Sequence, residues 1–185
     1  MRTAAITDAA HPDLPLFQRI YEDAFPEDER CPWERMVGFL RQPGHFFRLE
    51  GIYLESGAPI GFNAFAEFGH YLYGIYLALD RPYRGAGYGQ RVLRAFHARH
   101  AGRLIFGEVE HPDTPRARRR LAFYRELGYH VADIGFTQPP LRPGLQPVPY
   151  LIVSYPDALT GADAEAIRTI LDTEIYRERW PARLA

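Results

Sequence analysis

The order of its periodic segments predicts that this chain folds as an α+β, or mixed α/β, domain with one central sheet. Apolar residues at helical spacing mark two short helices near the start, and a long stretch rich in aromatic and β-branched residues follows them. Strand and helix patterns then succeed one another irregularly. A doubly wound parallel fold needs regular alternation of strand and helix, so that fold class is excluded.

The first half of the chain supplies most of the predicted sheet. Residues 3–7 form a short strand candidate, and apolar residues at helical spacing predict a helix over 13–24. Two prolines and a charged tip interrupt the chain at 25–32, before a second helix at 33–40. The stretch 45–79 is divided by SGA and by a glycine, which predicts a three-stranded antiparallel meander.

The second half mixes helices and strands around a proline-rich link. Gly128 ends one predicted helix, because glycine suits the left-handed residue that follows a helix end. The predicted elements are a helix at 87–100, a strand at 103–110, a helix at 117–128, strands at 129–136 and 147–155 joined by the link 137–147, and a closing helix at 162–179.

Length and composition predict one domain, 1–185, with a C-terminal helix appended over 160–185. The formal net charge of −1 does not suit a polyanion-binding surface, and 46% hydrophobic residues do not suit a disordered chain. No apolar run reaches the roughly 18 residues of a membrane span, and the first residues do not resemble a signal peptide. A single cysteine, Cys31, suits a reducing compartment. We therefore expect a cytoplasmic protein, monomeric or homodimeric, that binds neither membrane nor nucleic acid.

Missing residue types exclude several enzyme classes. All 22 residues counted as Lys or Arg are Arg, so the chain has no P-loop lysine and no lysine for a Schiff base. Ser56 and Ser154 are the only serines, and neither stands in a G-x-S-x-G elbow. The histidines lack zinc-ligand spacing and one cysteine cannot supply a thiolate cage, so we expect no metal.

The stretch RPYRGAGYGQRVL contains the first candidate binding site. Its three glycines, Gly85, Gly87 and Gly89, stand between an apolar strand and a predicted helix. The dinucleotide fingerprint G-x-G-x-x-G fails at Gln90, and the Walker pattern fails for lack of lysine. The remaining pattern, R-x-x-G-x-G from Arg84, suits an anion, because unpaired N–H groups and the positive end of the helix dipole meet at a helix start. A plain connecting turn is the alternative.

Two motifs, in this order along the chain, resemble those of the GNAT family of N-acetyltransferases. YLYGIYLALDRPYRGAGYGQRVL is similar to motif A of that family, a strand followed by R/Q-x-x-G-x-G/A and a helix. RRLAFYRELGY, at 119–129, is similar to the motif B helix, A-x-x-F/L-Y-x-x-L-G-F. The resemblance covers 3–155. It departs from the family pattern at Pro82, which comes one place late, and at Ala117, where many members carry an Asn that contacts the cofactor.

The resemblance implies a GNAT-like acyl-CoA N-acyltransferase fold, with a twisted, mostly antiparallel sheet, and acetyl-CoA (coenzyme A) as the cofactor. It also implies that the backbone of Leu77, Ala78 and Leu79 pairs with the pantetheine arm. Their alternative role is plain core, and both roles can hold because only the backbone would touch the cofactor. The pyrophosphate would lie on the N–H groups of Arg84, Gly85, Ala86, Gly87, Tyr88, Gly89 and Gln90, with the Arg84 side chain as a further donor.

Candidate catalytic residues follow from the same resemblance and from spacing. Tyr124 takes the position of the motif B tyrosine, which implies that it gives a proton to the departing thiolate; a core aromatic is the alternative. Glu108 and Glu110 lie two apart on one predicted strand, so they share a sheet face and are candidates for the base. A half-exposed strand end would also explain them. Weaker candidates are Glu67, His70 and His111.

The acidic tip Glu27, Asp28 and Glu29 lies where the resemblance implies an acceptor-binding loop. Its charge suits a cationic amine, whereas a solvated loop is the alternative. The arginines at 116–120 could contact an acidic substrate or the 3′-phosphate of CoA, but we expect a solvated helix face.

The leading functional prediction is an acetyl-CoA-dependent N-acetyltransferase. This acyltransferase would acetylate a primary amine of a small molecule or peptide, by direct attack of the amine in a ternary complex. The first alternative is a catalytically weak GNAT-fold module that binds CoA as a sensor, since Ala117 replaces the Asn and the base is unassigned. The second is an Arg-rich nucleic-acid-binding domain, against which the near-neutral charge and the dispersed arginines argue.

Overall fold

A computed structural model of the chain describes residues 1–141 and 144–179. The chain divides into two compact units, Met1–Gly102 and Arg103–Ala185. The single domain expected over 1–185 stays a prediction. Residues 142–143 of the predicted proline-rich link and residues 180–185 of the predicted C-terminal helix lie outside the described residues.

The first unit contains the elements predicted for the first half of the chain and the helix that follows them. A 3₁₀ turn, Glu27–Glu29, follows the first helix, and a second, Arg81–Tyr83, follows the last strand. The elements are β1 (Arg2–Ala5), α1 (Leu14–Ala24), α2 (Trp33–Phe39), β2 (Phe47–Tyr53), β3 (Pro59–Phe68), β4 (Tyr71–Leu79) and α3 (Tyr88–Arg99).

The four strands of this unit pair antiparallel in the order β1-β2-β3-β4. The meander predicted over 45–79 is therefore confirmed, and β1 adds a fourth strand beside β2. The register between β3 and β4 shifts where Ala64 opposes Tyr76 and Phe65 opposes Gly74, so Ile75 has no partner in β3. Such a bulge bends its strand and increases the local twist.

Apolar side chains hold helices against both faces of this sheet. On one face, Phe62 contacts Phe17, Tyr21 and Trp33 at ring-centroid distances of 6.0 to 6.2 Å. On the other face, α3 contributes to a cluster of Ile52, Ile60, Leu79 and Val92. Burying a large apolar side chain stabilises the fold by about 1.5–3 kcal/mol. The packing positions the start of α3 beside the end of β4.

The second unit is also α+β. Its strands pair antiparallel in the order β5-β7-β6. A π-helical segment, Ile170–Arg179, continues its last α-helix, and Ile167, Leu171 and Ile175 are buried along this closing segment. The elements are β5 (Leu104–Glu110), α4 (Pro115–Glu126), β6 (His130–Gln138), β7 (Val148–Tyr155) and α5 (Gly161–Thr169).

Capping explains where the helices of the second unit begin. The sequence predicts a helix from 117, but α4 begins at Pro115, because Thr114 Oγ1 accepts a hydrogen bond from Ala117 N–H at 3.1 Å. At α5, Thr160 and Asp163 form a reciprocal capping box. None of the described helices combines the length and the hydropathy that crossing a bilayer requires.

Candidate functional site

The connection between β4 and α3 turns on two glycines. Gly85 and Gly87 both have φ of +78°, and Gly87 immediately precedes the first turn of α3. The left-handed conformation costs other residues about 1–2 kcal/mol. A Cβ added at either position would have no described atom within 4 Å. The backbone dihedral angles, not crowding, therefore favour glycine here.

The same connection presents a row of backbone donors. From Gly85 to Gly89, the N–H groups donate to no atom of the described residues, and no described side chain caps α3. By contrast, Arg84 N–H donates to the Arg81 carbonyl at 3.2 Å, and Gln90 has a partner. The loop from Arg84 to Gly87 is exposed, and the dipole of α3 adds positive potential. These features together suit a bound phosphate group.

The side chain of Arg84 already has two partners within the protein. Its Nε donates to the Leu79 carbonyl at 2.7 Å, and its Nη2 donates to Asp23 Oδ2 at 2.8 Å. Arg81 binds both oxygens of the same carboxylate. The family resemblance implies that this guanidinium binds the pyrophosphate, but here it binds a carbonyl and a carboxylate. No local sequence pattern indicates Asp23 as a partner, because it lies 61 positions from Arg84.

The end of β4 contains the three residues expected to meet the cofactor arm. Ala78 is 3% exposed and Leu79 is 9% exposed, so these side chains belong to the core. Leu77 is half-buried. A Cβ at Gly61, opposite Leu79, would lie 2.2 Å from the Ala78 carbonyl oxygen. Glycine is required there by space, and β3 supports the end of β4 at close range.

Tyr124 lies half-buried on α4. Its ring packs against Phe123 and Tyr129, at centroid distances of 5.4 and 5.1 Å. Its hydroxyl makes no hydrogen bond to a described residue. Burial raises the pKa of the phenol above its usual value; the Arg120 guanidinium acts against this, and the Glu110 carboxylate adds to it. Tyr124 is therefore protonated at neutral pH and has a proton to donate.

The two candidate bases of β5 have different partners. Glu110 accepts a hydrogen bond from Arg120 Nη1 at 2.5 Å. Glu108 accepts from the Tyr176 hydroxyl, which lies 2.9 and 3.1 Å from its two carboxylate oxygens. Protonating Glu110 would break its ion pair with Arg120, which disfavours Glu110 as the base. Glu108 stays a candidate base, and the Tyr176 hydroxyl fixes its position.

The sequence predicts only an amphipathic helix for the segment that contains Tyr176. Its hydroxyl reaches a residue 68 positions earlier, which no local pattern indicates. The Tyr176 hydroxyl also lies 3.2 Å from Oε1 of Gln138, a side chain that is 5% exposed. Because a hydroxyl has one hydrogen, the two acceptors compete for it, and a carboxylate is a stronger acceptor than an amide oxygen. The closing segment thus orients a candidate base.

The acidic tip lies on the 3₁₀ turn Glu27–Glu29. Glu27 is exposed and Glu29 is half-buried, and both have partners. The side chain of Asp28 lies outside what the structure describes. At least Glu27 is accessible to an approaching cation.

Two tyrosines anchor the chain that follows this turn. Tyr76 Oη donates to the Glu29 carbonyl at 2.9 Å and accepts from Cys31 N–H at 3.2 Å. Tyr21 Oη donates to the Cys31 carbonyl at 3.0 Å. Cys31 is only 2% exposed, so its thiol is not an accessible nucleophile.

The weaker candidates for the catalytic base lie outside β5. Glu67 pairs with Arg48 at 3.0 Å, His70 is exposed, and His111 is half-buried. The arginines at 116–120 do not act as one patch: Arg118 donates to backbone carbonyls, and Arg120 pairs with Glu110. Among the described residues, no group of three His, Cys, Asp or Glu side chains could hold a metal ion.

Comparisons with known proteins agree with this description of the fold. Residues 42–131, which include the glycine connection, β5 and Tyr124, match the family model described as an acetyltransferase (GNAT) domain. A solved structure from Bacteroides thetaiotaomicron, assigned to the GNAT family of acetyltransferases, is similar with a TM-score of 0.86 and 27% identity. That similarity covers 95% of this chain and 98% of the other. The GNAT resemblance and the predicted fold class are confirmed.

More distant structures are similar in fold alone. The ribosomal-protein-S18-alanine N-acetyltransferase from Escherichia coli has a TM-score of 0.57 at 14% identity, covering 86% of this chain and 96% of that one. An aminoglycoside 6′-N-acetyltransferase complexed with coenzyme A has a TM-score of 0.58 at 13% identity, covering 86% and 100%. No protein in a curated set matches this chain by sequence.

Proposed function

Because residues 42–131 of this chain match the family model of a GNAT acetyltransferase domain, we propose that the protein is an acetyl-CoA-dependent N-acetyltransferase. GNAT acetyltransferases use acetyl-CoA, and one similar structure is a coenzyme A complex. The observation that carries the proposal is the row of unbonded N–H groups from Gly85 to Gly89 at the start of α3. The acceptor is a primary amine of a small molecule or peptide. The cytoplasmic location stays a prediction.

In this proposal the backbone binds the cofactor. The N–H groups from Gly85 to Gly89 hold the pyrophosphate, and Gln90 extends the same turn of helix. Arg84 contributes by fixing the start of the loop through its bond to the Leu79 carbonyl. The backbone of Leu77, Ala78 and Leu79 is available to pair with the amides of the pantetheine arm.

Two side chains move protons. Acetyl-CoA supplies the acetyl group as a thioester, which the acceptor nitrogen attacks directly. Glu108 accepts the proton that the acceptor ammonium must lose, either directly or through water. Tyr124, which its raised pKa keeps protonated, would donate its phenolic proton to the sulfur that leaves and regain a proton from the newly acetylated nitrogen. Glu110 keeps Arg120 in place and has no proton-transfer role.

The acidic tip selects the acceptor. Glu27 and Glu29, together with Asp28, provide negative charge that favours a cationic amine. The contribution is modest, because exposed charges interact weakly across water. This supports a polyamine, an aminoglycoside or a basic peptide end as the class of acceptor.

Calorimetric titration tests the cofactor assignment. Acetyl-CoA should bind, whereas S-acetylpantetheine, which has the same thioester and amides but no pyrophosphate, should bind at least about tenfold more weakly. Equal affinity for the two ligands would contradict a pyrophosphate site in the loop.

Thiol release with a panel of amines then tests catalysis. Release that depends on a cationic amine supports the transferase. Binding of acetyl-CoA without release from any amine would favour the CoA-sensing module. A chain that binds no form of CoA but retains a nucleic acid would favour the second alternative, the nucleic-acid-binding domain.

A further inference from the structure

Asp23 organises the entry to the glycine loop. It lies in the last turn of α1 (Leu14–Ala24), where the helix dipole disfavours an acid. Two guanidinium groups offset this: Arg81 binds both carboxylate oxygens, and Arg84 Nη2 binds Oδ2 at 2.8 Å. Hydrogen bonds from Arg81 and Arg84 hold the pKa of Asp23 below its usual range, so the carboxylate is ionised at neutral pH. Asp23 thus holds two residues of one short turn, from a helix position that by itself disfavours an acid.

Arg84 carries this restraint to the end of β4. Its Nε donates to the Leu79 carbonyl at 2.7 Å while its Nη2 binds Asp23, so one guanidinium joins α1 to the strand. A second link runs beside it, because Arg19 of α1 binds Asp80 at 2.9 and 3.3 Å. Both ends of the turn from Asp80 to Arg84 are therefore tied to α1. The N–H groups that follow, from Gly85 to Gly89, have no such bonds.

We propose that Asp23 is a positioning residue for the cofactor site: by holding Arg81 and Arg84 it fixes the glycine loop in the conformation that binds pyrophosphate. The inference rests on the proposed function and adds to it. Preordering the loop reduces the entropy that must be lost when an anion binds. Asp23 therefore strengthens the binding of an anion although it is itself negative.

The direction in which Asp23→Asn changes the affinity for acetyl-CoA separates a positioning role from a purely electrostatic one. Asp23→Asn removes a negative charge near the loop and releases two guanidinium groups, so a purely electrostatic role predicts tighter binding of acetyl-CoA. Positioning predicts the opposite: the dissociation constant of acetyl-CoA should become about tenfold larger. It also predicts a higher KM for acetyl-CoA with kcat nearly unchanged, and an unchanged kcat/KM with S-acetylpantetheine.

A matched control variant separates the positioning effect of Asp23 from the effect of losing any ion pair. Glu50→Gln removes an acid of the same unit that binds Arg99 of α3 at 2.8 Å, away from the turn. Its acetyl-CoA affinity should equal that of the wild type. If Asp23→Asn lowers the folded population, Arg81→Gln gives a second measurement, because Arg81 is 75% exposed and only one of the two links is lost. It should weaken acetyl-CoA binding about threefold.

A double-mutant cycle completes the test. If Asp23 acts through Arg84, Asp23→Asn with Arg84→Gln together should weaken binding no more than the stronger single change. Unchanged or tighter binding in Asp23→Asn, or fully additive effects, would overturn the inference and leave the proposed function standing. A wild-type protein that does not bind acetyl-CoA would overturn both.

Discussion

The glycine connection and strand β5 differ in the atoms that provide their candidate chemistry: the first uses the backbone and the second uses side chains. From Gly85 to Gly89 the donors are backbone N–H groups, and their arrangement follows from neighbouring residues. On β5 the groups are carboxylates, and their partners Arg120 and Tyr176 come from later elements. A backbone site can be found from a short pattern, whereas a side-chain site depends on what the fold brings to it. Changes in the first region should affect affinity, and changes in the second should affect turnover.

The largest effect is expected at β5 (Leu104–Glu110). Glu108→Gln should lower kcat about 10³-fold, because it removes the group that accepts the ammonium proton. The acetyl-CoA dissociation constant should change little. Steady-state thiol release and calorimetry measure the two quantities.

Glu110→Gln is the matched comparison, since it removes a carboxylate two residues away on the same strand. It should lose the bond to Arg120 and change kcat less than about threefold. If the two variants lose equal activity, the proposal that Glu108 and not Glu110 is the base is wrong.

Tyr124→Phe should lower kcat about 10²-fold with little change in acetyl-CoA affinity, because the thiolate then leaves without a proton donor. The raised pKa of Tyr124 adds a pH dependence. Since the protonated form is the active one and burial raises its pKa, the wild-type rate should persist to higher pH than an ordinary phenol would allow. A kcat–pH profile measures this.

Tyr129→Phe is the control for ring packing, since its ring contacts Tyr124 at 5.1 Å. It should retain most of the turnover. A Tyr124→Phe variant as active as the wild type at every pH would remove Tyr124 from the mechanism.

Gly87→Ala should weaken acetyl-CoA binding about tenfold and leave kcat at saturation nearly unchanged. The alanine must adopt φ of +78°, at a cost of about 1–2 kcal/mol, or the loop must shift. Gly57→Ala is the matched control, because Gly57 has φ of +87° in the turn between β2 and β3 and equally open surroundings. If both variants bind acetyl-CoA like the wild type, the loop conformation does not determine affinity.

The smallest effect is expected at the acidic tip. Glu27→Gln with Glu29→Gln should raise KM for a cationic amine about threefold, because exposed charge pairs contribute less than about 1 kcal/mol. KM for acetyl-CoA should stay constant. Glu55→Gln, in the β2–β3 turn, is the control for a general change of surface charge. An unchanged KM for the amine would make the tip a solvated loop.

Much of the fold could be predicted because the signals are local. The meander over 45–79 was marked by glycine breaks and β-branched residues, and it is confirmed. Helix boundaries were less accurate: α4 begins two residues earlier than predicted, because the cap of Thr114 decides the start. The order of elements and the GNAT resemblance needed no long-range information.

The site was predictable only in part. The glycine pattern marked the loop, and left-handed angles at Gly85 and Gly87 follow from it directly. The role of the Arg84 side chain did not follow, because Asp23 lies 61 positions away. The difference between Glu108 and Glu110 was equally hidden, because spacing makes them equivalent and only the folded partners distinguish them.

The burial of Cys31 makes the folded protein suitable for assays that detect free thiols in solution. Tyr21 and Tyr76 bind its carbonyl and N–H groups, and its side chain is 2% exposed. A thiol-reactive dye added to the native protein should therefore detect coenzyme A released in turnover, with almost no background from the protein itself. The slow labelling of Cys31 should in turn report how often the segment after the acidic tip opens.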